Sequence, residues 1–528
     1  MICSKGISQL STNLQASIMS TVSFDSVRES AAFELPGNSK LVLYAAVLGL
    51  LAIILSPRPS KSDFPAVNTY PGDWSHQKAH KAYLENGQKL LEEGFEKFKG
   101  PFRVITTLGS RVILPMELSD WVKKCPDLDH QSYTAEAYFA GYPGFEGETA
   151  VADPNGILIS VVKNKLSQNS QNQIFFDMIS EGLQEAWTEN PDWHDTNWAQ
   201  DVVRFIGLMS SAVFAGPELA HNAEWQRITT TYTLSMFQAV KALRNWPAWT
   251  RPLVHWFLPE CRASRQEVSS ARRLLAPVLE QRARDAGKAA AEGGQPTKHE
   301  DTIAWMDEAA NGRPYDPVAG QLGMAMAAIM TTSQLLQQAL LDICSHPELI
   351  AVLRAEAEAA IGAHGWTTAG LFHMQRLDSC VKESQRLNSL SAVNLERKAV
   401  RDVALPDGRV LRRGTNVAVS QAMMRSPAAY ADPDAYDGLR FYRLRQGGGR
   451  WASAAALVST SVEHFVFGMG KAICPGRFFA ANEVKVALAA ILLKYDVRLK
   501  EGYEPRMVEY GFDVMADPAP KVEVRLRR

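Results

Sequence analysis

Apolar and polar positions follow a helical period over most of the chain and a strand period in only a few places. The first long element predicted is a helix over residues 77–99, followed at residues 102–114 by a Val-, Ile- and Thr-rich stretch around Gly109 that reads as a hairpin. Residues 157–281 carry mostly helical text, cut at Trp246-Pro247, Arg251-Pro252 and Leu258-Pro259, where proline removes a backbone donor. Gly287, Gly293, Gly294 and Pro296 predict a mobile surface loop over 284–299. Residues 318–345 then run without proline, and 322–330 are apolar all round, the mark of a buried central helix. Pro347 opens a second helix over 348–361, and a third covers 374–387. A β-branched pattern over 400–419, broken by Pro406-Asp407-Gly408, predicts another hairpin, and 432–461 reads mostly as loop. The fold class expected is therefore mainly α with a small β region.

The apolar run of 15 residues at 41–55 stands apart from these patterns. It is shorter than the roughly 18 residues of an unambiguous spanning helix. A secretory signal would lie nearer the start and end at a small-residue cleavage site, whereas this run ends in Ser56-Pro57-Arg58-Pro59. No amphipathic pattern flanks it, which weakens the alternative of a core helix. The organisation expected is an N-terminal tail (1–40), a transmembrane anchor helix (41–57), a Pro-rich linker (58–72) and a catalytic body (73–528). Arg58 and Lys61 after the run balance Arg28 and Lys40 before it, so charge does not set the orientation.

Composition narrows the function classes. With 46% hydrophobic and 21% charged residues the body has globular usage, and 56 basic against 57 acidic residues gives no reason to expect nucleic acid as a partner. The six cysteines (Cys3, Cys125, Cys261, Cys344, Cys380 and Cys474) are irregularly spaced, with no Cys-x-x-Cys pair, which argues against a disulfide scaffold or a zinc site. Free cysteines are usually small buried residues. Cys474 differs from the others. It lies in FVFGMGKAICPGRFF (465–479), where Gly468, Gly470 and Gly476 allow tight turns and close approach to a flat cofactor. Pro475 suits the first position of a following helix, whose N-terminus would favour a thiolate and lower the thiol pKa. On these local features alone, a Gly-rich turn around a structural cysteine is an equal reading.

The segment resembles the heme-binding loop of the cytochrome P-450 superfamily, with Phe467, Gly470, Cys474 and Gly476 matching its Phe-x-x-Gly-x-x-x-Cys-x-Gly pattern one by one. Arg477-Phe478-Phe479-Ala480 resembles the continuation in fungal members. The resemblance implies the cytochrome P-450 fold, heme b with Cys474 as axial thiolate and metal ligand, and that thiolate favouring O–O cleavage. Family members usually carry His or Arg two residues before the cysteine, against a heme propionate; here that residue is Ala472. Arg397 matches another propionate-pairing arginine, a surface strand-end arginine being the alternative. Glu383 and Arg386 share one helix face and resemble the family's Glu-x-x-Arg element, with Arg440 as its third partner in a structural ionic network. Thr331, in Ala327-Ala328-Ile329-Met330-Thr331-Thr332, matches the threonine that guides protons to dioxygen. Met330 stands where most members carry an acid, and Thr332 and Ser333 read as hydroxyls bonded back within a helix.

The activity implied is insertion of one oxygen atom of dioxygen into an apolar small molecule, a terpenoid or other secondary metabolite. Electrons would come from NADPH through an NADPH-cytochrome reductase, with cytochrome b5 as an optional donor. Such an enzyme would sit on the endoplasmic reticulum membrane by a single N-terminal pass, with its catalytic domain in the cytoplasm. Met324, Ala325, Ala328, residues 389–394 and the turn near Phe512 would line its pocket. Four arginines (Arg440, Arg443, Arg445, Arg450) and no acid between Leu439 and Ser461, with Lys471 and Arg477 close behind, suggest a basic docking face for the electron donor, a solvated charge run being the alternative. The rival readings are a reductase-independent heme-thiolate isomerase or peroxygenase, and a non-enzymatic heme-binding protein.

Overall fold

The computed structural model describes residues 62–166, 169–295 and 297–528. The tail, the anchor and the start of the Pro-rich linker lie outside the described residues, as does Pro296. Residues 63–528 form one unit. Packing in it begins ahead of residue 73: Phe64 is buried, and the Asn68 side chain bonds Ala79 O (3.1 Å), Ile105 O (2.9 Å) and Ile105 N (2.8 Å).

The principal helices, numbered in chain order, are α1 (Gln77–Phe98), α2 (His130–Ala137), α3 (Glu146–Val151), α4 (Ile157–Asn164), α5 (Asn169–Trp187), α6 (Trp198–Phe214) and α7 (Ala223–Arg244). They continue with α8 (Pro259–Ala291), α9 (Pro317–Cys344), α10 (Glu348–His364), α11 (Gln375–Leu387), α12 (Arg440–Gln446) and α13 (Arg477–Lys494). The strands used below are β1 (Phe102–Thr106), β2 (Gly109–Leu114), β3 (Leu128–Asp129), β4 (Val393–Ala399), β5 (Asn416–Ser420), β6 (Tyr495–Leu499), β7 (Val508–Tyr510), β8 (Asp513–Met515) and β9 (Val522–Leu526).

The predicted central helix is α9. Asp316 caps it by accepting from the amides of Val318 (3.0 Å) and Ala319 (3.2 Å), and Pro317 takes the first helical position, where its missing N–H costs nothing. Helices α3, α6, α7, α8, α11 and α13 are among those that pack around it. Val318 to Met326 are buried in an unbroken row, so all-round burial lies one turn earlier than the apolar pattern suggests. The larger sheet has the order β1-β2-β5-β4-β3, antiparallel except for the β2/β5 pair. The β1/β2 hairpin turns at the Thr106/Gly109 pair, as predicted. The chain's last strand, β9, pairs with β6 and with His194–Asp195.

Three expectations change. Residues 284–291 are not loop but the last two turns of α8. The Ala289-Ala290-Ala291 run propagates the helix past Gly287, and the chain stops only at Gly293, whose φ of 68° is left-handed. The hairpin expected over 400–419 divides: Val403–Ala404 pairs with Val410–Leu411 around the Pro-Asp-Gly turn, while β5 joins the large sheet. The loop 432–461 contains α12 and a turn of helix at Trp451–Ala454.

Candidate active site

Cys474 lies between a turn that ends at Ala472 and the start of α13 at Arg477. The helix begins two residues after Pro475, with Gly476 as its N-cap, rather than at the proline. The Cys474 amide donates to Phe467 O at 2.7 Å, which closes the segment into a loop, and Arg477 Nη1 donates to Cys474 O at 3.0 Å. Gly470 has φ 68°, and a Cβ there would meet Lys123 Cγ at 2.6 Å, so only glycine fits. Gly476 differs: its φ is −85°, and a Cβ would touch nothing closer than Val162 Cγ1 at 3.6 Å. Protein packing alone does not require glycine there.

The thiol departs from expectation. Burial pushes the Cys474 thiol above its ordinary value, and the amides of Gly476 and Arg477 with the Arg477 charge pull it only part of the way back. The helix-terminus effect expected from sequence is present but smaller than desolvation.

Asn394, at the start of β4, donates to Phe465 O (3.0 Å) and Val466 O (2.9 Å) and so fastens the loop to the sheet. The pairing register of β4 with β5 shifts between Asn394 and Arg397, with Leu395 at φ 51° in the bulge. Arg397 is buried, and its Nη1 donates to Glu396 O (2.7 Å) and lies 3.3 Å from His130 Nδ1. No carboxylate pairs with it among the described residues, and burial pushes its pKa down to about 10. An unpaired buried cation is costly, and its chemistry suits a carboxylate side chain of a cofactor. Sequence reasoning missed both Asn394 as a clamp and His130 as a neighbour of Arg397; neither sits in a motif that reports its contacts.

On α9, Ala327 and Thr331 are exposed although other helices surround α9, so they face an internal space. Thr331 Oγ1 donates back to Ala327 O at 2.8 Å and approaches Ala328 O at 3.3 Å. The back-bonding expected of its neighbours is therefore made by Thr331 itself. One turn on, Gln334 Nε2 donates to Val514 O of β8 at 2.6 Å. β8 is bridged to Ser391, just ahead of β4, and β4 holds the cysteine loop. With α13 packed against α9, these links form a ring that brings together the Cys474 loop, the Arg397 strand and the Thr331 helix. A thiol, an acid-free cation and small residues on the opposing helix are a donor set that fits a heme.

α11 is the rail behind the loop. Arg386 grips Glu383 through Nε–Oε2 and Nη2–Oε1, both 2.8 Å, and Arg440 Nε reaches Glu383 Oε1 at 2.9 Å. The Glu383 and Arg386 side chains are both 0% exposed, so the three predicted members meet and the pair has no access to solvent. Their remaining donors hold backbone: Arg386 the carbonyls of Met424 and Pro433, Arg440 those of Ala431, Asp432 and Ala435. Lys382, also missed, extends the rail. Its Nζ donates to Ala454 O (2.8 Å), Ala456 O (2.7 Å) and Ser459 O (3.0 Å), and burial lowers its pKa to about 7.

The basic run is smaller than its sequence suggests. Arg440 belongs to the buried network, Arg443 pairs with Asp437, and Arg450 pairs with Glu463 at 2.5 Å, using acids just outside the acid-free stretch. Arg445, Lys471 and Arg477 keep no carboxylate partner among the described residues.

Comparison with known proteins agrees with this arrangement. The Cytochrome P450 family model matches residues 174–524. Cytochrome P450 monooxygenase ntnM of Nectria sp is 38% identical over 91% of this chain and 92% of its own. Cytochrome P450 monooxygenase pyr3 of Aspergillus fumigatus is 36% identical over 93% of this chain and 94% of its own. Cytochrome P450 monooxygenase adrA of Penicillium rubens is 36% identical over 92% of this chain and 96% of its own. Among solved structures, the cytochrome P450DA heme domain superposes with a TM-score of 0.65 at 17% identity, over 88% of this chain and 97% of that one, a likeness of fold. With two thirds of its length matched by the family model and relatives of that name aligned over more than nine tenths of it, the chain belongs to the cytochrome P450 family and is a P450 monooxygenase.

Proposed function

We propose that this monooxygenase binds heme through Cys474 and Arg397 and oxidises an apolar, terpenoid-like secondary metabolite with NADPH electrons delivered by a flavoprotein reductase. The observation that carries the reading is the cysteine loop itself, a half-buried thiol at a helix N-terminus in a segment where Gly476 leaves room for a flat group. The heme supplies activation of dioxygen; the protein supplies orientation, exclusion of water and protons. Phe467 and Gly470 shape the loop, Gly476 admits the cofactor, and Thr331 holds a hydroxyl on the internal space. Met330 has no proton to give, so the Thr331 hydroxyl is the nearest donor on that stretch of α9. Apolar substrate contact is supported by Met324 and Ala325 on the same helix, and terpenoid chemistry only by the resemblance to fungal members.

Reconstitution with NADPH and a reductase tests this reading. Turnover is expected to require the reductase, and Thr331→Ala to keep consuming NADPH while product falls by about 10² or more and hydrogen peroxide rises. Reductase-independent turnover favours a peroxygenase or isomerase, and undiminished product per NADPH removes Thr331 from the proton path. The same reading places the enzyme on the endoplasmic reticulum membrane through residues 41–57, with the body in the cytoplasm and cytochrome b5 as an optional donor. Among the described residues no helix is long and apolar enough to cross a membrane. Trp246, Trp249, Leu253 and Phe257, all exposed between α7 and α8, would add an interfacial contact. Removing 41–57 is then expected to release the reconstituted protein from microsomes with its heme in place.

Arg397→Ala is expected to lower heme content, because one customary propionate cation is already absent at Ala472. Ala472→His should restore it in that background, since charge-assisted hydrogen bonds are the strong kind. Heme titration of the purified variants measures both, and no rescue places the propionates on another cation.

A further inference from the structure

β8 begins at Asp513, directly after Phe512. Phe512 is buried, edge-on to Tyr83 at 5.0 Å and 6.0 Å from the Arg111 guanidinium, so it closes the wall. Asp513 does the opposite. Its side chain is accessible, as are those of Met515 two residues on and Leu390 on the neighbouring segment. Yet Asp513 lies deep in the protein: burial, reinforced by the Glu396 charge, pushes its carboxyl up to about 6, against the Arg111 and Arg244 charges that pull it down. An accessible group that is nonetheless desolvated stands on the wall of an internal space. The bridge from Asp513 to Ser391 and the Gln334–Val514 bond tie this wall to α9 one turn along from Thr331.

No hydrogen bond reaches the Asp513 carboxylate among the described residues. Of the two arginines that face it, one is fully engaged and the other only in part. Arg111 is held by Glu396 at 2.6 Å and by Tyr133 at 2.5 Å, and Tyr133 also donates to Glu396 at 2.8 Å. Arg244 donates one Nη2 bond to Ala137 O at 2.8 Å, and its Nε is buried without a partner. A carboxylate on the wall of such a space, with no protein donor, is normally satisfied by water or a ligand. The charges nearby decide which ligand. Asp513 and Glu396 are balanced by Arg111 and Arg244, so the wall is neutral overall. A cationic amine would meet both arginines, and a carboxylate would meet Asp513. A neutral hydroxyl meets neither objection and supplies the missing donor.

We infer that Asp513 is a specificity-determining residue that accepts a hydrogen bond from an alcohol group on an otherwise apolar substrate, at the wall of the cavity facing Thr331. The inference rests on the heme-monooxygenase reading above and adds the polar handle of the substrate. A site built to bind a hydroxyl rejects the analogue lacking it far more sharply than an apolar pocket can discriminate.

The test is a spectral binding titration of heme-loaded protein with matched pairs that differ only in donor capacity. Androstanol with androstanone, and a panel of diterpene alcohols each with its ketone, meet that need, because the ketone accepts but cannot donate. For at least one pair the wild type should bind the alcohol about tenfold or more tightly than the ketone. Asp513→Leu should abolish that preference, and Asp513→Asn, whose amide can donate, should raise affinity for the ketone. The reduced carbon monoxide spectrum is recorded for every variant; a retained thiolate band shows that the heme site is intact, so a lost preference then reads the wall alone. Absence of any alcohol preference in the wild type overturns the inference. So does a preference unchanged in Asp513→Leu, or one that survives there and disappears in Arg244→Leu.

Discussion

Cys474→Ser is expected to remove the red-shifted Soret band of the reduced carbon monoxide complex completely and to take product formation to background. The substitution keeps the size of the side chain and the Phe467 O bond made by the backbone amide, so the loop retains its shape while the sulfur is lost. No other cysteine in the described residues can take over. Cys261, Cys344 and Cys380 are buried away from the loop, with thiols pushed up to about 11, 12 and 12 by desolvation. Cys125 is half-buried, two residues from the Lys123 side chain that packs on Gly470. A retained thiolate band in Cys474→Ser would refute the assignment at its root. Full heme content without the band would instead show a pocket that holds the porphyrin by Arg397 and packing, with the axial position changed.

The second large effect is expected at the Glu383–Arg386–Arg440 network. Glu383→Gln leaves two buried guanidinium groups with no counter-charge, and Arg386→Ala leaves Glu383 with Arg440 alone and the carbonyls of Met424 and Pro433 without a donor. Removing one partner of a buried pair costs about 3–5 kcal/mol. That is a large share of the roughly 5–15 kcal/mol that holds a folded domain together. Both variants should therefore yield little soluble heme-loaded protein, and what is recovered should unfold at markedly lower denaturant. Arg386→Lys should not rescue, because an ammonium cannot make the two parallel bonds to Glu383 while reaching the carbonyls. Denaturation midpoints equal to wild type would mean that the network contributes nothing that packing does not.

Much of this was readable in advance, for physical reasons that differ from residue to residue. The cysteine loop announced itself because its glycines and its thiol are adjacent in sequence. Glu383 and Arg386 are three apart on one helix, so their contact is local. α9 was visible as a long proline-free apolar run. What escaped depends on tertiary neighbours. The final two turns of α8 hide behind glycines that lower helix propensity without breaking the helix. Arg443 and Arg450 looked free because their acids, Asp437 and Glu463, stand just beyond the edges of the run. The direction of the Cys474 pKa shift is not legible in sequence, because a helix N-terminus is visible there and the depth of desolvation is not. Asp513 carries no motif; its interest arises only when a hairpin places it on an internal wall without a donor.

The rail on α11 has a consequence for how the surface over the heme loop can vary. Arg386, Arg440 and Lys382 grasp main-chain oxygens between Met424 and Ser459 and ask nothing of the side chains that those residues carry. Any residue but one that distorts the backbone presents the same oxygen. The path of that segment is thus fixed while its lettering is left open, and the outward side chains of α12 and its neighbours can change with the geometry beneath the cysteine unchanged.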